Sequence, residues 1–415
     1  MYQLVLVSLV LVCALALPTV APFSAVYVGL GAVIMCVALF ARALPNILMQ
    51  PAYIAIWVAC LVLAITIPFS WHGPDELMIV VWMLPILIPA GLVAGLMRER
   101  RFGAPAVIGA FCLVGAIGAM VYGGYDAMAF ETSRAGGVNN PIHFAALCTI
   151  LGFASLVGIF QNGSKWRFIF LSGPVFGSAA VLLSGSRGPI LSVLILFVLT
   201  VPLLIFWHRH IWQVWVVPLV LGLACVAAAL FLAPGQNHYI VDAISSTHAA
   251  TQYLFNNNFA TPTEGPANID GSTWQRLIFL RGAIGAFGDS PIFGHGASDM
   301  IAAAARHFPP GYEHLGGHLH SDIANFAVVS GAFGLLAYLL FLLAPFLAFV
   351  RTRDRELRRA VLLLAIILSA GYFTLGLTNG VFGILPQTLL YGVLLAAAVN
   401  LSLKKDCEQE SDQSR

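Results

Sequence analysis

The stretch that decides the fold is DIANFAVVSGAFGLLAYLLFLLAPFLAFV, residues 322–350. Asp322 is its only charged residue. The remainder is long enough to cross a bilayer, whose apolar core of about 30 Å needs roughly 20 apolar residues in a helix. Similar runs recur along the chain: 60% of the 415 residues are hydrophobic and only 9% are charged. Because soluble domains carry about 25% charged residues, this composition excludes a water-soluble enzyme.

Twelve apolar stretches are predicted to span the membrane as helices. They cover about residues 3–20, 24–41, 52–69, 77–96, 105–122, 141–160, 168–184, 188–206, 212–233, 322–350, 359–378 and 384–403. The predicted fold class is therefore an all-α polytopic membrane protein. The predicted organisation is nine spans over residues 1–233, a large polar segment with amphipathic helices over 234–321, three spans over 322–403, and a disordered polar tail over 404–415.

The basic residues indicate the orientation, because Lys and Arg accumulate in cytoplasmic loops. With both termini inside, 15 of the 20 basic residues fall on the cytoplasmic side, and the opposite orientation would export nearly all of these. The arginines that remain on the exported side are Arg134, Arg187, Arg276, Arg281 and Arg306. Most of the histidines also lie there. We therefore expect the chemistry on the exported face.

Arg187 lies in Ser184-Gly-Ser-Arg-Gly-Pro189, which joins two predicted spans with almost no loop. A charged residue at membrane depth is costly and is functional by default. Its guanidinium matches phosphate oxygens in a bidentate manner. The alternative is an arginine that reaches to lipid headgroups, but two glycines and a proline favour a defined turn.

Two further arginines lie on a predicted amphipathic helix from Trp274 to about Phe287, with Ser272 and Gln275 as a capping box. Arg276 and Arg281 are five residues apart, or about 140° around the helix axis at 100° per residue. Only one of them can therefore face a common site. Composition does not decide between them.

The sequence Gly316-Gly-His-Leu-His-Ser-Asp322 leads into the span at 322–350. Either Ser321 or Asp322 is predicted to cap that helix, which leaves His320 at its positive end. That field disfavours the imidazolium ion, so the ring stays neutral, as a general base requires.

Gly331 and Gly334 are predicted to lie below His320 on the same helix face, where another helix or a lipid chain can approach closely. The histidines at 307, 314, 318 and 320 are alternatively metal ligands. However, no acidic or histidine partner falls at a recognised metal-ligand spacing, so no metal site is predicted.

Three motifs together resemble a known family. His320-Ser321, nine residues and Gly331-x-x-Gly334 match the H-[N/S/Q]-x9-G-x-x-[G/T/Y] signature of O-antigen ligases of Gram-negative bacteria. Residues 274–296 are similar to the arginine and P-[L/I]-x-G-x-G element of the wider O-antigen ligase and polymerase superfamily, and residues 184–188 resemble its S-x-S-R-G turn. The motifs occur in the same order, and the topology extends the resemblance to nearly the whole chain. Phe279 departs from the pattern, because relatives often carry Trp there.

The resemblance implies a GT-C-type glycosyltransferase of the bacterial inner membrane, with cytoplasmic termini, one large periplasmic segment between spans 9 and 10, and a periplasmic active site. Such an enzyme moves O-antigen from undecaprenyl pyrophosphate to a sugar hydroxyl of lipid A-core. The catalytic histidine falls on His320 and the pyrophosphate-binding arginines fall on Arg187 and Arg276. Arg281, His318 and Ser186 are secondary candidates. The reaction is expected to invert the anomeric carbon without ATP, metal or another cofactor, and the expected partners are lipids, not nucleic acid.

Two alternatives share the superfamily: an O-antigen polymerase, and an oligosaccharyltransferase that moves the same donor onto a protein serine. The H-S-x9-G-x-x-G match and the long exported segment near the C-terminal spans favour the ligase. From a different class, a twelve-span secondary transporter predicts internal repeats, or helices broken near the midplane with ionisable groups there. No repeat is apparent, and the exported ionisable groups lie at the outer boundary.

Overall fold

The computed structural model describes residues 2–98, 103–129, 134–136, 140–161, 165–208, 220, 245–246, 248–250, 252–253 and 269–413. Every regular element among these residues is a helix, and none of them is in a strand. The helices are α1 (Tyr2–Leu11), α2 (Pro22–Leu39), α3 (Leu44–Leu48), α4 (Pro51–Thr66), α5 (Met78–Val81), α6 (Leu84–Leu87), α7 (Ala90–Arg98), α8 (Pro105–Ala129), α9 (Pro141–Ala154), α10 (Gly173–Ser184), α11 (Arg187–His208), α12 (Gly271–Asp289), α13 (Met300–Ala305), α14 (Asp322–Arg351), α15 (Arg355–Gly376) and α16 (Leu385–Gln413).

Nine segments of the described residues are long and apolar enough to cross a membrane. They are Pro51–Phe69, Pro74–Arg98, Pro105–Ala129, Pro141–Phe160, Trp166–Ser184, Arg187–His208, Asp322–Arg351, Arg355–Gly376 and Leu385–Leu403. Two shorter apolar helices, Tyr2–Ala16 and Phe23–Leu39, occupy the first two predicted spans. The ninth predicted span, 212–233, lies outside the described residues except for residue 220. The prediction of an all-helical polytopic membrane protein is confirmed.

Two helix boundaries differ from the sequence expectation. α12 begins at Gly271 because Asp270 caps it, accepting hydrogen bonds from two backbone N–H groups, so the predicted start at Trp274 was late. The capping box at Ser272 and Gln275 was therefore wrong. α16 continues to Gln413 through residues that were expected to form a disordered tail. Lys, Glu and Gln are common in those residues, and they are good helix formers that extend an existing helix at little cost.

α14 organises the C-terminal part of the bundle, since it packs along α4 and α15, while α16 packs on α15 and α7. The loop between α15 and α16 is held by the ring of Phe382. This ring lies 5.2 Å from that of Tyr372 and 5.3 Å from that of Tyr391, and it also meets the rings of Phe326, Tyr338 and Phe341. Aromatic pairs at such distances add stability beyond the area they bury. The loop is thereby anchored in the core.

α14 is interrupted at Gly331, which has φ 61° and ψ −142°. The break frees backbone groups for residues 291–296, the segment after α12. The N–H groups of His295 and Gly296 donate to the carbonyl oxygens of residues 328 and 329 at 2.8 and 2.9 Å, and Ala332 N–H donates to Pro291 O at 2.8 Å. The freed groups are thus satisfied as buried backbone groups require.

Glycines make this backbone pairing possible. A Cβ atom on Gly331 would collide with the backbone of Ile292, and one on Gly294 would collide with the backbone of Val329. Both glycines also have positive φ, a region that residues with a side chain disfavour. The neighbour of Gly331 is therefore the segment 291–296, and the expectation that another helix or a lipid chain approaches it was wrong.

Gly331→Ala should lower the stability of the detergent-solubilised protein by about 1–3 kcal/mol, because the methyl group overpacks a backbone contact and the φ is unfavourable. Thermal unfolding measures the loss. Gly288→Ala is the matched control: Gly288 is helical, and a Cβ atom there meets open space. Equal melting temperatures for the two variants would contradict this account of the break.

Candidate functional site

The turn from Ser184 to Pro189 has a defined geometry. Gly185 ends α10 in the left-handed region, with φ 60° and ψ 24°. The Oγ atom of Ser184 accepts the N–H of Ser186 at 3.2 Å, and α11 begins at Arg187. A Cβ atom on Gly188 would collide with the side chain of Thr378. One glycine therefore allows the turn, and the other allows the loop after α15 to touch it.

Asp270 ties this turn to the start of α12. Its Oδ1 atom accepts the backbone N–H groups of Ser272 and Thr273 at 3.0 and 3.1 Å. Its Oδ2 atom accepts the Nη1 of Arg187 at 2.5 Å and the hydroxyls of Ser246 and Thr273 at 2.6 and 2.7 Å. Charge-assisted bonds of this kind are stronger than neutral ones. Two segments far apart in sequence are therefore joined by one carboxylate.

The carboxyl of Asp270 is held ionised. Burial alone would raise its pKa, but the hydrogen bonds from Ser246, Thr273 and Arg187 act in the opposite direction and are together stronger. The pKa of Asp270 therefore lies well below its usual range. The negative charge faces Arg187 across the pH range in which cells live.

A cavity of about 490 Å³ lies between the turn and α12. Its lining residues are Arg134, Ile142, Gly185, Ser186, Arg187, Gly188, Pro189, Asp270, Ser272, Arg276 and Thr378. Three guanidinium groups thus share the cavity with one carboxylate. Guanidinium groups match phosphate and carboxylate oxygens with two parallel hydrogen bonds, so this lining is suited to a polyanionic group.

Arg276 is buried beside two other arginines and one carboxylate. Burial is the largest influence and lowers the pKa of Arg276; the charge of Asp270 raises it, and the positive charges of Arg187 and Arg134 lower it further. A guanidinium stays charged in proteins despite such shifts, so the repulsion persists as an unfavourable interaction energy. A bound anion would relieve it. Charged groups perturbed in this way inside a cleft are typical of functional sites.

Arg134 is a cavity residue that the sequence analysis did not assign. Its Nε donates to the carbonyl oxygen of Ser184, and its Nη2 donates to the hydroxyl of Ser186, both at 3.1 Å. The only sequence signal was its membership of the five exported arginines. Of the predicted residues, Arg187, Arg276 and Ser186 line the cavity together. Arg281 is not among the residues that line it.

His320 lies beside this cavity, in contact with residues from three parts of the chain. Its ring is 4.0 Å from the ring of His318 and is stacked on that of Phe279 at 5.4 Å, measured between centroids. Its Nδ1 atom is 3.3 Å from Oδ1 of Asn379, the residue after the cavity-lining Thr378. Its φ of 52° is unusual for a residue with a side chain, and such strain is held only where the surroundings impose it.

The pKa of His320 is lowered to about 4, chiefly by burial and next by the positive environment of His318 and Arg276. The ring is therefore neutral near pH 7. Neutrality was the sequence expectation, but it was argued there from the helix dipole; burial is the largest cause in the structure. His318 is held as well, since its Nδ1 atom accepts the backbone N–H of His320 at 3.1 Å.

Ser321 caps α14, and its hydroxyl accepts the N–H of Ala324. The other predicted cap, Asp322, has a different role. The oxygens of its fully buried carboxyl group accept the N–H groups of Val381 and Phe382 at 2.9 and 3.4 Å. Asp322 thereby fixes the loop after α15. This loop carries Asn379, which no local motif marked because it lies 59 residues from His320 in sequence.

The metal alternative finds no matching cluster. Over the part of the chain that the structure describes, no group of three or more His, Cys, Asp or Glu side chains is placed to hold a metal ion. His307 pairs instead with Asp289, with 2.7 Å between Nε2 and Oδ2. The Nε2 atom of His295 donates to the carbonyl oxygen of Ala286, 2.7 Å away, which ties its loop to the end of α12.

Fold and site together define a class: a polytopic membrane protein with an arginine-lined cavity that suits phosphate groups and lies next to a neutral histidine. Residues 172–339 match the family model described as O-Antigen ligase. This match covers less than half of the chain, and it confirms the resemblance to the O-antigen ligase superfamily at that level. Members of this superfamily are glycosyltransferase-like enzymes of polysaccharide assembly. No curated protein matches the chain.

Asp270→Asn should destabilise the protein at pH 7 by about 1 kcal/mol or more, because the cap weakens and Arg187 loses its counter-charge. The folded-state pKa of Asp270 is depressed, so its contribution is complete above the unfolded value of 3.8 and is lost as the pH falls through the folded value. Thermal unfolding should therefore show a difference in melting temperature between Asp270→Asn and wild type that is smaller at pH 3 than at pH 7.

Asp299→Asn is the matched control for that measurement. Asp299 also precedes a helix, α13, but its side chain makes no capping hydrogen bond. Its ion pair with Arg306 is loose, at 3.7 Å. We expect this variant to stay within about 0.5 kcal/mol of wild type. A loss at Asp270 no larger than the loss at Asp299 would contradict the role given to Asp270.

Proposed function

We propose that the protein is an O-antigen ligase of the GT-C type. It transfers a finished glycan from undecaprenyl pyrophosphate to a sugar hydroxyl of lipid A-core. The observation that carries the proposal is the cavity in which Arg134, Arg187 and Arg276 converge beside the neutral ring of His320. Pyrophosphate is the group that such a cluster of arginines fits, and a neutral histidine is the base that a hydroxyl acceptor needs.

In the proposed reaction, the acceptor hydroxyl attacks the anomeric carbon of the donor sugar as the bond to the pyrophosphate oxygen breaks. His320 takes the hydroxyl proton. Negative charge grows on the leaving pyrophosphate, where Arg187 and Arg276 stabilise it; fixed cations in a dry site give this effect at little reorganisation cost. The products are the glycosylated acceptor, undecaprenyl pyrophosphate and a proton. A single displacement inverts the anomeric carbon.

The proposed location is the inner membrane, with both termini in the cytoplasm and the active site on the periplasmic face. The charge distribution supports it, since the arginines of the cavity are among the few basic residues that this orientation exports. Three of the helices beside the cavity, α9, α10 and α11, lie in segments apolar enough to cross a membrane. A polyprenyl donor and a lipid A acceptor both reach such a site from the bilayer.

The transporter alternative is weakened by the way α14 is broken. A transporter uses freed backbone groups to hold an ion or substrate. At Gly331 these groups bond instead to residues 291–296. Glu76, the acidic side chain close to that segment, accepts N–H groups of Ala297 and Ser298.

His320→Ala should lower the ligation rate at least about 100-fold, which is the usual contribution of a general base. Arg187→Ala and Arg276→Ala should each cost about 100- to 1,000-fold, as the loss of a charge-stabilising donor does. The assay is complementation of a deletion strain, with lipopolysaccharide and lipid-linked O-antigen both measured. Loss of long chains together with accumulation of the lipid-linked donor is the expected result.

Arg306→Ala is the matched control, because Arg306 is exported, half-exposed and outside the cavity. It should restore wild-type lipopolysaccharide. Full ligation by His320→Ala or Arg187→Ala would show that these roles are wrong. In the deletion strain, lipopolysaccharide with one attached repeat would identify a polymerase. Unchanged lipopolysaccharide would rule out both the ligase and the polymerase.

Chelation should leave the purified enzyme active. Three guanidinium groups line the cavity, and they supply the positive charge that divalent cations supply in many phosphate-transferring sites. We expect the transfer rate with purified donor and acceptor to be the same in excess EDTA as in Mg²⁺. A rate that collapses in EDTA and returns with Mg²⁺ or Mn²⁺ would refute this expectation.

A further inference from the structure

Behind His320 lies a chain of side chains that the proposed reaction does not use. The Nδ1 atom of His320 is 3.3 Å from Oδ1 of Asn379, and Nδ2 of Asn379 is 3.4 Å from Nδ1 of His143. The Nε2 atom of Gln387 is 3.0 Å from the same Nδ1 of His143. Asn379 and Gln387 are only 4% and 2% exposed.

The donor and acceptor roles in this chain follow from chemistry. An amide nitrogen can only donate, so Nδ1 of His143 is the acceptor for both Gln387 and Asn379. Since the nitrogen of Asn379 points to His143, its oxygen points to His320. An amide oxygen can only accept, so Nδ1 of His320 carries the ring proton. The lone pair of His320 is then on Nε2, the atom that a base would use.

We propose that Asn379 is a positioning residue that holds His320 in the Nδ1–H tautomer, with His143 and Gln387 fixing the direction of the Asn379 amide. This inference rests on the proposed role of His320 as the base. It extends that role to residues that touch neither the pyrophosphate cavity nor the acceptor hydroxyl. The tautomer of a catalytic histidine is set by the hydrogen bond at its other nitrogen.

The position of Asn379 next to the cavity supports this reading. The residue before it, Thr378, lines the cavity and contacts the turn at Gly188, and the residue before His143, Ile142, also lines the cavity. The loop after α15 that carries Asn379 is clamped by Asp322 and the aromatic cluster around Phe382. Asn379 thus has a rigid support, as an orienting residue requires.

Asn379→Leu and Asn379→Asp distinguish the orienting hydrogen bond to His320 from the space that the side chain fills. Leucine offers no acceptor, so either nitrogen of His320 can carry the proton; we expect kcat to fall about tenfold or more, with KM little changed. Aspartate keeps the acceptor and adds a negative charge. The groups that face His320 are His318, Arg276 and His143, and in the wild type none is acidic.

The pH profile distinguishes positioning from mere structure. A carboxylate beside His320 favours the imidazolium ion, so the pKa of that ring rises by about one to three units. The acid limb of the kcat profile should therefore move to higher pH by that amount in Asn379→Asp, while activity at pH 8 stays above that of Asn379→Leu. If residue 379 does not bond to His320, Asn379→Asp keeps the wild-type acid limb and Asn379→Leu keeps the wild-type kcat.

The experiment uses the full chain with purified lipid-linked donor and lipid A-core acceptor. Asn400→Leu is the control for the loss of a buried amide: Asn400 is 3% exposed and donates to the backbone carbonyl of Gly103. It should lose similar stability but retain kcat. If Asn379→Leu folds poorly, the acid limb of the kcat profile of Asn379→Asp still tests the positioning role.

The outcomes separate this inference from the proposed function. Loss of activity in His320→Ala, with wild-type kcat in Asn379→Leu or an unmoved acid limb in Asn379→Asp, overturns the positioning role and leaves the ligase proposal intact. Full activity in His320→Ala overturns the proposed role of His320, and the inference with it. The expected result is loss in His320→Ala, a reduced kcat in Asn379→Leu and a shifted limb in Asn379→Asp.

Discussion

The ion pair between Arg187 and Asp270 is the contact on which the site depends. One oxygen of Asp270 caps α12 and the other holds Arg187 at the start of α11. The carboxylate therefore sets where α12 begins and, with it, where Arg276 falls relative to Arg187. Partly exposed ion pairs contribute little to stability by themselves. Here the pair matters through geometry, because it brings two cations on separate helices into one cavity and offsets part of their repulsion.

A second constraint comes from backbone atoms that touch without side chains between them. The break in α14 at Gly331 and the segment 291–296 fit only because glycines stand at the contact. This contact fixes the end of α12 against α14, whose first residues follow His320. The two glycine motifs of the sequence are therefore one structural feature. The glycines act on the site indirectly, because they hold α12, which carries Arg276, and the loop of His320 in one relative position.

The sequence predicted the features that follow from its apolar runs and from the energetic cost of placing a charge in the membrane. Long apolar runs must be membrane helices. A charged residue such as Arg187, in a two-glycine turn at membrane depth, is costly and was therefore predicted to be functional. It did not predict partners brought together by folding. Asp270 competes with Ser272 as a cap, and Asp322 looked like a cap but bonds the loop after α15. Asn379 had no local pattern at all, since its meaning lies in a contact across 59 residues.

The arginines and the histidine are electrostatically coupled, and the sign of the coupling bears on how the site would work. The charge of Arg276 helps to keep His320 neutral when the cavity holds no anion. An anion bound among the three arginines offsets that charge. The positive field at His320 then weakens, and the pKa of its ring rises towards the working pH. A base is most effective when its pKa is near the working pH. In the proposed reaction, His320 is therefore a stronger base when the pyrophosphate donor is bound, and an acceptor hydroxyl that arrives before the donor meets a weaker base.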